Sequence, residues 1–220
     1  MSQTISTYNS IRDAILSVEL MPGEPLRERL LETRFDSSRT PIRAALLRLE
    51  TEGLVQRQGR SYVVAPIDIS EIEQACEYRE VIEVAAIRAA AERASGTDID
   101  AIESMIHIPE DQAVEESYSI ATLFHVELAR LSGNAFFVRS LEDVLTRLSR
   151  ARWLEINSRG GRERAFAEHQ GVLNLIRQGR GDAAADEIRT HLTRSRDRLL
   201  DTLRTERRGL RARRIALVSG

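Results

Sequence analysis

The chain has 220 residues, of which 42% are hydrophobic, 30% charged and 5% aromatic, and its formal net charge is −2. This balance fits a soluble globular protein of one or two domains and excludes a disordered chain. It also excludes a protein that binds nucleic acid through overall charge, so any basic surface must be local. Ala, Leu, Glu and Arg dominate, which favours helix. Every basic chain is Arg, with no lysine, and Arg suits bidentate contacts with phosphates and bases. The single cysteine, Cys76, rules out an internal disulfide and a cysteine-based zinc site, and its apolar helical surroundings predict a buried, inert thiol. No run of about 18 apolar residues is present to span a membrane. The first residues lack the apolar core of a signal peptide, so the expected location is cytoplasmic.

In chain order, "TYNSIRDAILSVEL" places Ile11, Ile15, Leu16 and Leu20 on one helical face, and Pro22, Gly23 and Pro25 end it. "LRERLLETRF" predicts a second helix burying Leu26, Leu30 and Phe35. "DSS" supplies an N-cap, Ser37 or Ser38, for a third helix with Pro41 in its first turn and Ile42, Leu46 and Leu49 inward. Gly53 is its C′ residue. Two β-like runs, "LVQR" and "SYVVA", flank "QGR" as a small hairpin. Residues 1–66 thus read as a winged helix-turn-helix. Residues 67–69 read as a linker, with Ser70 as an N-cap. Helices are expected at about 70–94, 98–106, 112–132, 135–157, 162–178 and 182–205. The fold class is mainly α: an N-terminal winged helix-turn-helix followed by an all-α bundle over 70–205. The Arg-rich tail, 206–220, is expected to fray.

On the third helix Arg39, Thr40 and Arg43 occupy the polar N-terminal side. Alone, they read as a solvated helix face. The order of elements around them favours a recognition helix, whose first residues meet base edges in the major groove.

Residues 8–65 resemble the DNA-binding domain of GntR-family transcriptional regulators. The likeness rests on "IRDAIL", "MPGEPLRERLLETRF", "SSRTPIRAALLRLETEGLV" and the wing "QGRSYVV". It implies dimeric binding to a palindromic operator, with DNA contacts at Arg29, Ser38, Arg39, Thr40 and Arg43 and, at the wing tip, Gly59 and Arg60. Two departures stand out. Ala44 occupies a position where the family usually has Glu, and the wing is about one residue short of the family's common Arg-Gly form.

In the helical part, "YREVIEVAAIRAAAERAS" predicts a buried stripe of Val81, Val84, Ala85 and Ala89. Arg79 and Glu83 form an i,i+4 pair, which reads either as a surface salt bridge or as an arginine turned inward toward a ligand carboxylate. His125, His169 and His191 sit on three separate predicted helices. Each alone reads as structural; together they could converge on a metal.

Residues 70–205 resemble the all-helical FCD-type effector domain of the fatty-acid-regulator branch of the GntR family. The matching pieces are "YREVIEVAAIRAAAE", "FHVELARLSGN", "EHQGVLNLIRQG" and "GDAAADEIRTHL". The resemblance implies a divalent metal held by an Asp and three His, with an effector carboxylate completing its coordination. The histidines correspond to His125, His169 and His191, and Arg79 to an effector-facing position. The family's Asp corresponds to Ala121. Three neutral imidazoles favour Zn²⁺ or Ni²⁺ over Mg²⁺.

The expected function is that of a ligand-responsive regulator, a repressor rather than an enzyme, that forms a homodimer and binds a small organic acid. Two alternatives accompany it. One is a metal-dependent hydrolase fused to a DNA-binding domain, for which Glu168 beside His169 is a poorly directed base. The other is a DNA-binding dimer without an effector.

Overall fold

Three amphipathic helices begin the computed structural model, which describes residues 3–106, 114–155, 159–205 and 215–218. They are α1 (Gln3–Leu16), α2 (Glu28–Arg34) and α3 (Arg39–Thr51). On α1 the buried positions are Thr7, Tyr8, Ile11, Ala14 and Ile15, and on α3 they are Pro41, Ile42, Ala45, Leu46 and Leu49. Both sets follow the three- and four-residue spacing of a single helix face. The faces pack together around Ile11, Ile15, Ile42, Leu46 and Leu49. Polar contacts close the far end. Tyr8 donates to Glu52 Oε1 at 2.5 Å, and the Arg48 guanidinium lies 3.8 Å from the centre of the Tyr8 ring.

Two expectations for this part change. The second helix starts at Glu28, not Leu26, because Pro25–Leu26 is a short strand, β1. Its buried residue is therefore Leu31, and Leu30 is 61% exposed. Ser38 is the N-cap of α3, but its side chain makes no capping hydrogen bond; the Ser37 hydroxyl instead pairs with Thr7 at 2.7 Å.

The predicted hairpin is β2 (Val55–Gln58) and β3 (Ser61–Val64), and β1 adds to its edge, giving the order β1-β3-β2. Val55 faces Val64, Gln58 faces Ser61, and Leu26 faces Tyr62.

Residues 67–69, read as a linker, contain a strand, β4 (Ile67–Asp68), and the first residue of the next helix. The tail was expected to fray. Residues 206–214 lie outside the described residues, but Leu217–Val218 form β5, parallel to β4. Ala216 makes the joint: its N–H donates to the Pro22 carbonyl at 2.9 Å, and its carbonyl accepts from Ile67 N–H at 3.0 Å. Gly23 permits this approach. Its φ is +86°, and a Cβ there would lie 2.5 Å from that of Ala216.

The remaining helices are α4 (Ile69–Arg93), α5 (Gly96–Met105), α6 (Val114–Leu131), α7 (Ala135–Glu155), α8 (Arg159–Arg177) and α9 (Gly181–Thr205). Each lies within a few residues of its predicted span. Ser95 starts α5 with a capping box: its hydroxyl accepts from Asp98 N–H, and the Asp98 carboxylate accepts from Ser95 N–H. Ile87, Ile102, Phe124, Val172 and Ile188 bring five of these helices into one core. Of the stripe expected on α4, Val84 is buried in this core and Ala85 and Ala89 are half-buried, but Val81 is 70% exposed; a buried line also runs through Ala75, Arg79, Ile82, Ala86 and Ala90. Cys76 is half-buried, more exposed than expected.

The chain divides into two units. One comprises Met1–Ile72, Ser149–Trp153 and Thr202–Gly220; the other comprises Glu73–Leu148 and Leu154–Asp201.

Gly23→Ala should destabilise the first unit by about 1–3 kcal/mol, through overpacking against Ala216 and a left-handed φ. Thermal denaturation followed by circular dichroism should show a lowered midpoint. Ala216→Gly in the same chain should restore part of the loss by removing the overlap.

Candidate metal centre and nucleic-acid interface

The candidate metal centre starts from Arg79, for which the sequence left a surface and an inward reading open. Arg79 lies in the buried line of α4 and is only 4% exposed, so the surface-pair reading fails. Its Nε donates to Glu83 Oε1 at 2.5 Å, one helical turn on. The other oxygen of Glu83 lies 2.7 Å from His125 Nδ1 on α6. Burial pushes the Glu83 carboxyl up, but Arg79 and His125 outweigh it and hold the group below the usual carboxylate range. Burial likewise pushes the His125 imidazolium down, against the pull of Glu83. Glu83 is therefore the charged partner and His125 the neutral one. An ionised carboxylate only accepts, so Nδ1 carries the proton and the His125 lone pair sits on Nε2. That Nε2 is buried with no hydrogen-bond partner among the described residues, as is Arg79 Nη2.

His191 on α9 repeats the device. Its Nδ1 lies 2.6 Å from Glu168 Oε2, and Glu168 Oε1 accepts from Arg194 at 2.9 Å. The His191 hydrogen bond, with help from Arg194, holds the Glu168 carboxyl down to about 2. In the neutral His191 ring this again leaves the lone pair on Nε2. His169 on α8 stacks on Phe124, with ring centres 3.8 Å apart. All three histidines are buried, and their candidate ligand nitrogens lie within 4.8 Å of one another. Carboxylates that fix the tautomer of an imidazole are the usual support of histidine metal ligands. The donor set therefore fits a divalent ion of the zinc or nickel type. Ala121, half-buried one turn before His125, contributes no ligand.

The expected DNA-contacting residues gather in the first unit. Arg39, Thr40 and Arg43 are exposed at the start of α3, Ser38 is exposed as its N-cap, and Arg29 is exposed on α2. At the wing, Gly59 and Arg60 are exposed in the two-residue turn between Gln58 and Ser61. Gly59 has a φ of +62°, as the first centre of a type II′ turn requires. Arg39 and Arg43 share a partner that the sequence did not single out. Glu28, first residue of α2, accepts from Arg39 Nε at 2.7 Å and from Arg43 Nε at 2.9 Å. Ala44 is exposed beside them.

Comparison with known families decides what these parts belong to. The FCD domain profile matches residues 74–194, and that of the gntR family of bacterial regulatory proteins matches residues 4–64. The chain belongs to the GntR family. It is a DNA-binding transcriptional regulator of the GntR/FCD type. It is 26% identical over 194 residues to the Nta operon transcriptional regulator of Aminobacter aminovorans, covering 86% of this chain and 90% of that one. To the HTH-type transcriptional repressor RspR of Escherichia coli K12 it is 24% identical over 190 residues, covering 84% and 83%. Its fold matches the solved structure of E. coli McbR/YncC with a TM-score of 0.75 at 16% identity, over 90% of this chain and 97% of that one. These families and relatives are regulators, which sets the hydrolase alternative aside. The geometry agrees, since both oxygens of Glu168 are engaged by His191 and Arg194. No described helix is long and apolar enough to cross a membrane.

Sequence reasoning noticed Glu83 only as a partner of Arg79, and Glu168 only as a poor base. An acid within an apolar helical stretch, four residues after an arginine, was the available sign of Glu83. Glu28 left no local sign, because its partners lie 11 and 15 residues away.

Arg79→Ala should leave Glu83 buried without its main counter-charge and cost about 3–5 kcal/mol. A surface i,i+4 pair would cost only about 0.2–0.5 kcal/mol. Urea denaturation of the purified chain distinguishes these values.

Proposed function

We propose that this GntR/FCD regulator is a repressor that binds a palindromic operator as a homodimer and responds to a small organic acid in its helical domain. The DNA-binding module is residues 1–66, joined through 67–69 to an effector and dimerisation domain at 70–205. The tail is 206–220.

One observation carries the effector reading. Three buried imidazoles stand beside a buried guanidinium whose Nη2 lacks a partner among the described residues. An unsatisfied buried donor on a charged group is costly, and a carboxylate is the ligand that satisfies it. His125, His169 and His191 would hold a divalent ion, and the ion would supply a positive centre for the effector carboxylate. Glu83 and Glu168 orient two of these imidazoles. Ala121 in place of a fourth protein ligand leaves room for water or the effector, at the expense of affinity for the ion itself. The effector then acts by preferring the state with weak DNA affinity, with a coupling of about 1–3 kcal/mol typical of such linkage. The name of the E. coli relative, a transcriptional repressor, supports the direction of control.

At the DNA, Arg39 and Arg43 would read base edges. Arg29, Ser38 and Thr40 would hold phosphates or flank the bases, and Gly59 and Arg60 would bring the wing to the backbone.

Arg39→Ala and Arg43→Ala should each weaken binding to a selected operator by about tenfold or more, with the fold unchanged by circular dichroism. Arg48→Ala, further along α3 and stacked on Tyr8, should matter less. Fluorescence anisotropy measures all three, and unchanged affinity in both of the first two would overturn the recognition-helix assignment.

Metal analysis of chain purified without chelator should show weakly held zinc or nickel that Ala121→Asp binds more tightly. Organic acids should raise the melting temperature of the metal-loaded chain. Arg79→Lys, which keeps a cation beside Glu83 but loses the guanidinium fork, should blunt that rise. A metal-free wild-type chain alongside a metal-binding Ala121→Asp variant would mean the histidines line a polar cavity without an ion.

A further inference from the structure

Glu28 has no place in the reading so far. It is one carboxylate set against two arginines on the DNA-reading face of α3, where a negative charge opposes binding to a polyanion. Its side chain is 28% exposed, while those of Arg39 and Arg43 are 64% and 57% exposed, so the three groups lie at the surface where DNA would arrive. Each oxygen of Glu28 takes one arginine, and at both arginines the hydrogen bond runs through Nε. The two arginine hydrogen bonds hold the Glu28 carboxyl below its ordinary range, so it is ionised at neutral pH.

We propose that Glu28 is a specificity-determining residue of the DNA interface, which aims the terminal forks of Arg39 and Arg43 at base edges and discounts their attraction to phosphate. The inference rests on the assignment of these two arginines to base contacts.

A guanidinium offers two two-pronged edges. One pairs Nε with an Nη, and the other pairs the two Nη groups. With Nε held by Glu28, the end-on Nη pair is the edge left for guanine O6 and N7. Two arginines four residues apart on a helix repel each other, and without a shared anion each is free to swing to the nearest phosphate. The carboxylate removes that freedom and cancels one of the two positive charges. Phosphate attraction is sequence-independent, whereas base contacts are not. Removing the Glu28 charge should therefore strengthen the non-specific part of binding and weaken discrimination.

The test uses the full chain, a duplex selected by that chain from a random pool, and a scrambled duplex of equal length. Affinity for each is measured by anisotropy across a range of salt concentrations. Glu28→Gln, at a partly exposed position that tolerates the amide, should bind the scrambled duplex more tightly, with a salt slope steeper by up to about 0.9. The ratio of the two affinities should fall about tenfold. Glu28→Asp, which keeps the charge, should retain the shallow slope. An unchanged ratio and slope in Glu28→Gln would overturn the proposal. So would equal tightening on both duplexes, because Glu28 would then be only a repulsive charge. Arg39→Ala and Arg43→Ala run alongside. If they lose the selected duplex while Glu28→Gln keeps its discrimination, this inference alone fails. If they bind it normally, the base-contact assignment fails with it.

Discussion

The chemistry of the helical unit depends on one ionised carboxylate in an apolar interior. Glu83 cannot stay charged there unless each oxygen is matched, and Arg79 and His125 supply the match. The arginine lies one turn away on the same helix; the histidine comes from α6. Pairing therefore fixes side chains and also holds two helices in register. It settles where the proton of His125 lies, and so which nitrogen keeps a lone pair. Without Glu83 the imidazole could choose either tautomer, and Arg79 would have no buried anchor.

The same arrangement recurs with different partners. Glu168 stands between His191 and Arg194, and Glu28 between Arg39 and Arg43. In each case one acid spends both oxygens on two nitrogen donors from separate residues. A net charge of −2 is compatible with DNA binding when arginines are presented locally in this way. The chain's acids are not held apart from its arginines. They sit among them and set how much of each guanidinium remains available. Overall charge carries little information in such a protein, and local pairing carries much.

The helices were legible because their breaks are chemically explicit: prolines after Leu20, Ser95 capping α5 with Asp98 in its first turn, and glycines between the later helices. The winged unit was legible for the same reason, since Gly59 and Gly53 mark turns that few other residues would make. Legibility ended where local pattern no longer determines environment. Helix α4 carries apolar residues nearly all round, so periodicity could not tell that Val81 faces out while Arg79 faces in. Strands of two residues, such as Pro25–Leu26 and Leu217–Val218, have no period to detect. The convergence of the three histidines and the sharing of Glu28 by two arginines are tertiary facts. They depend on contacts between elements that the spacing of residues along each element does not encode.

The pairing of Leu217–Val218 with Ile67–Asp68 has a temporal side. A ribosome makes Leu217–Val218 about 150 residues after Ile67–Asp68. At about 5–20 residues per second, that is a delay of roughly eight to thirty seconds. During that interval the Pro22 carbonyl lacks its donor, Gly23 faces an open slot, and β4 lacks its parallel partner. The part of the chain that meets DNA is thus made early and finished late.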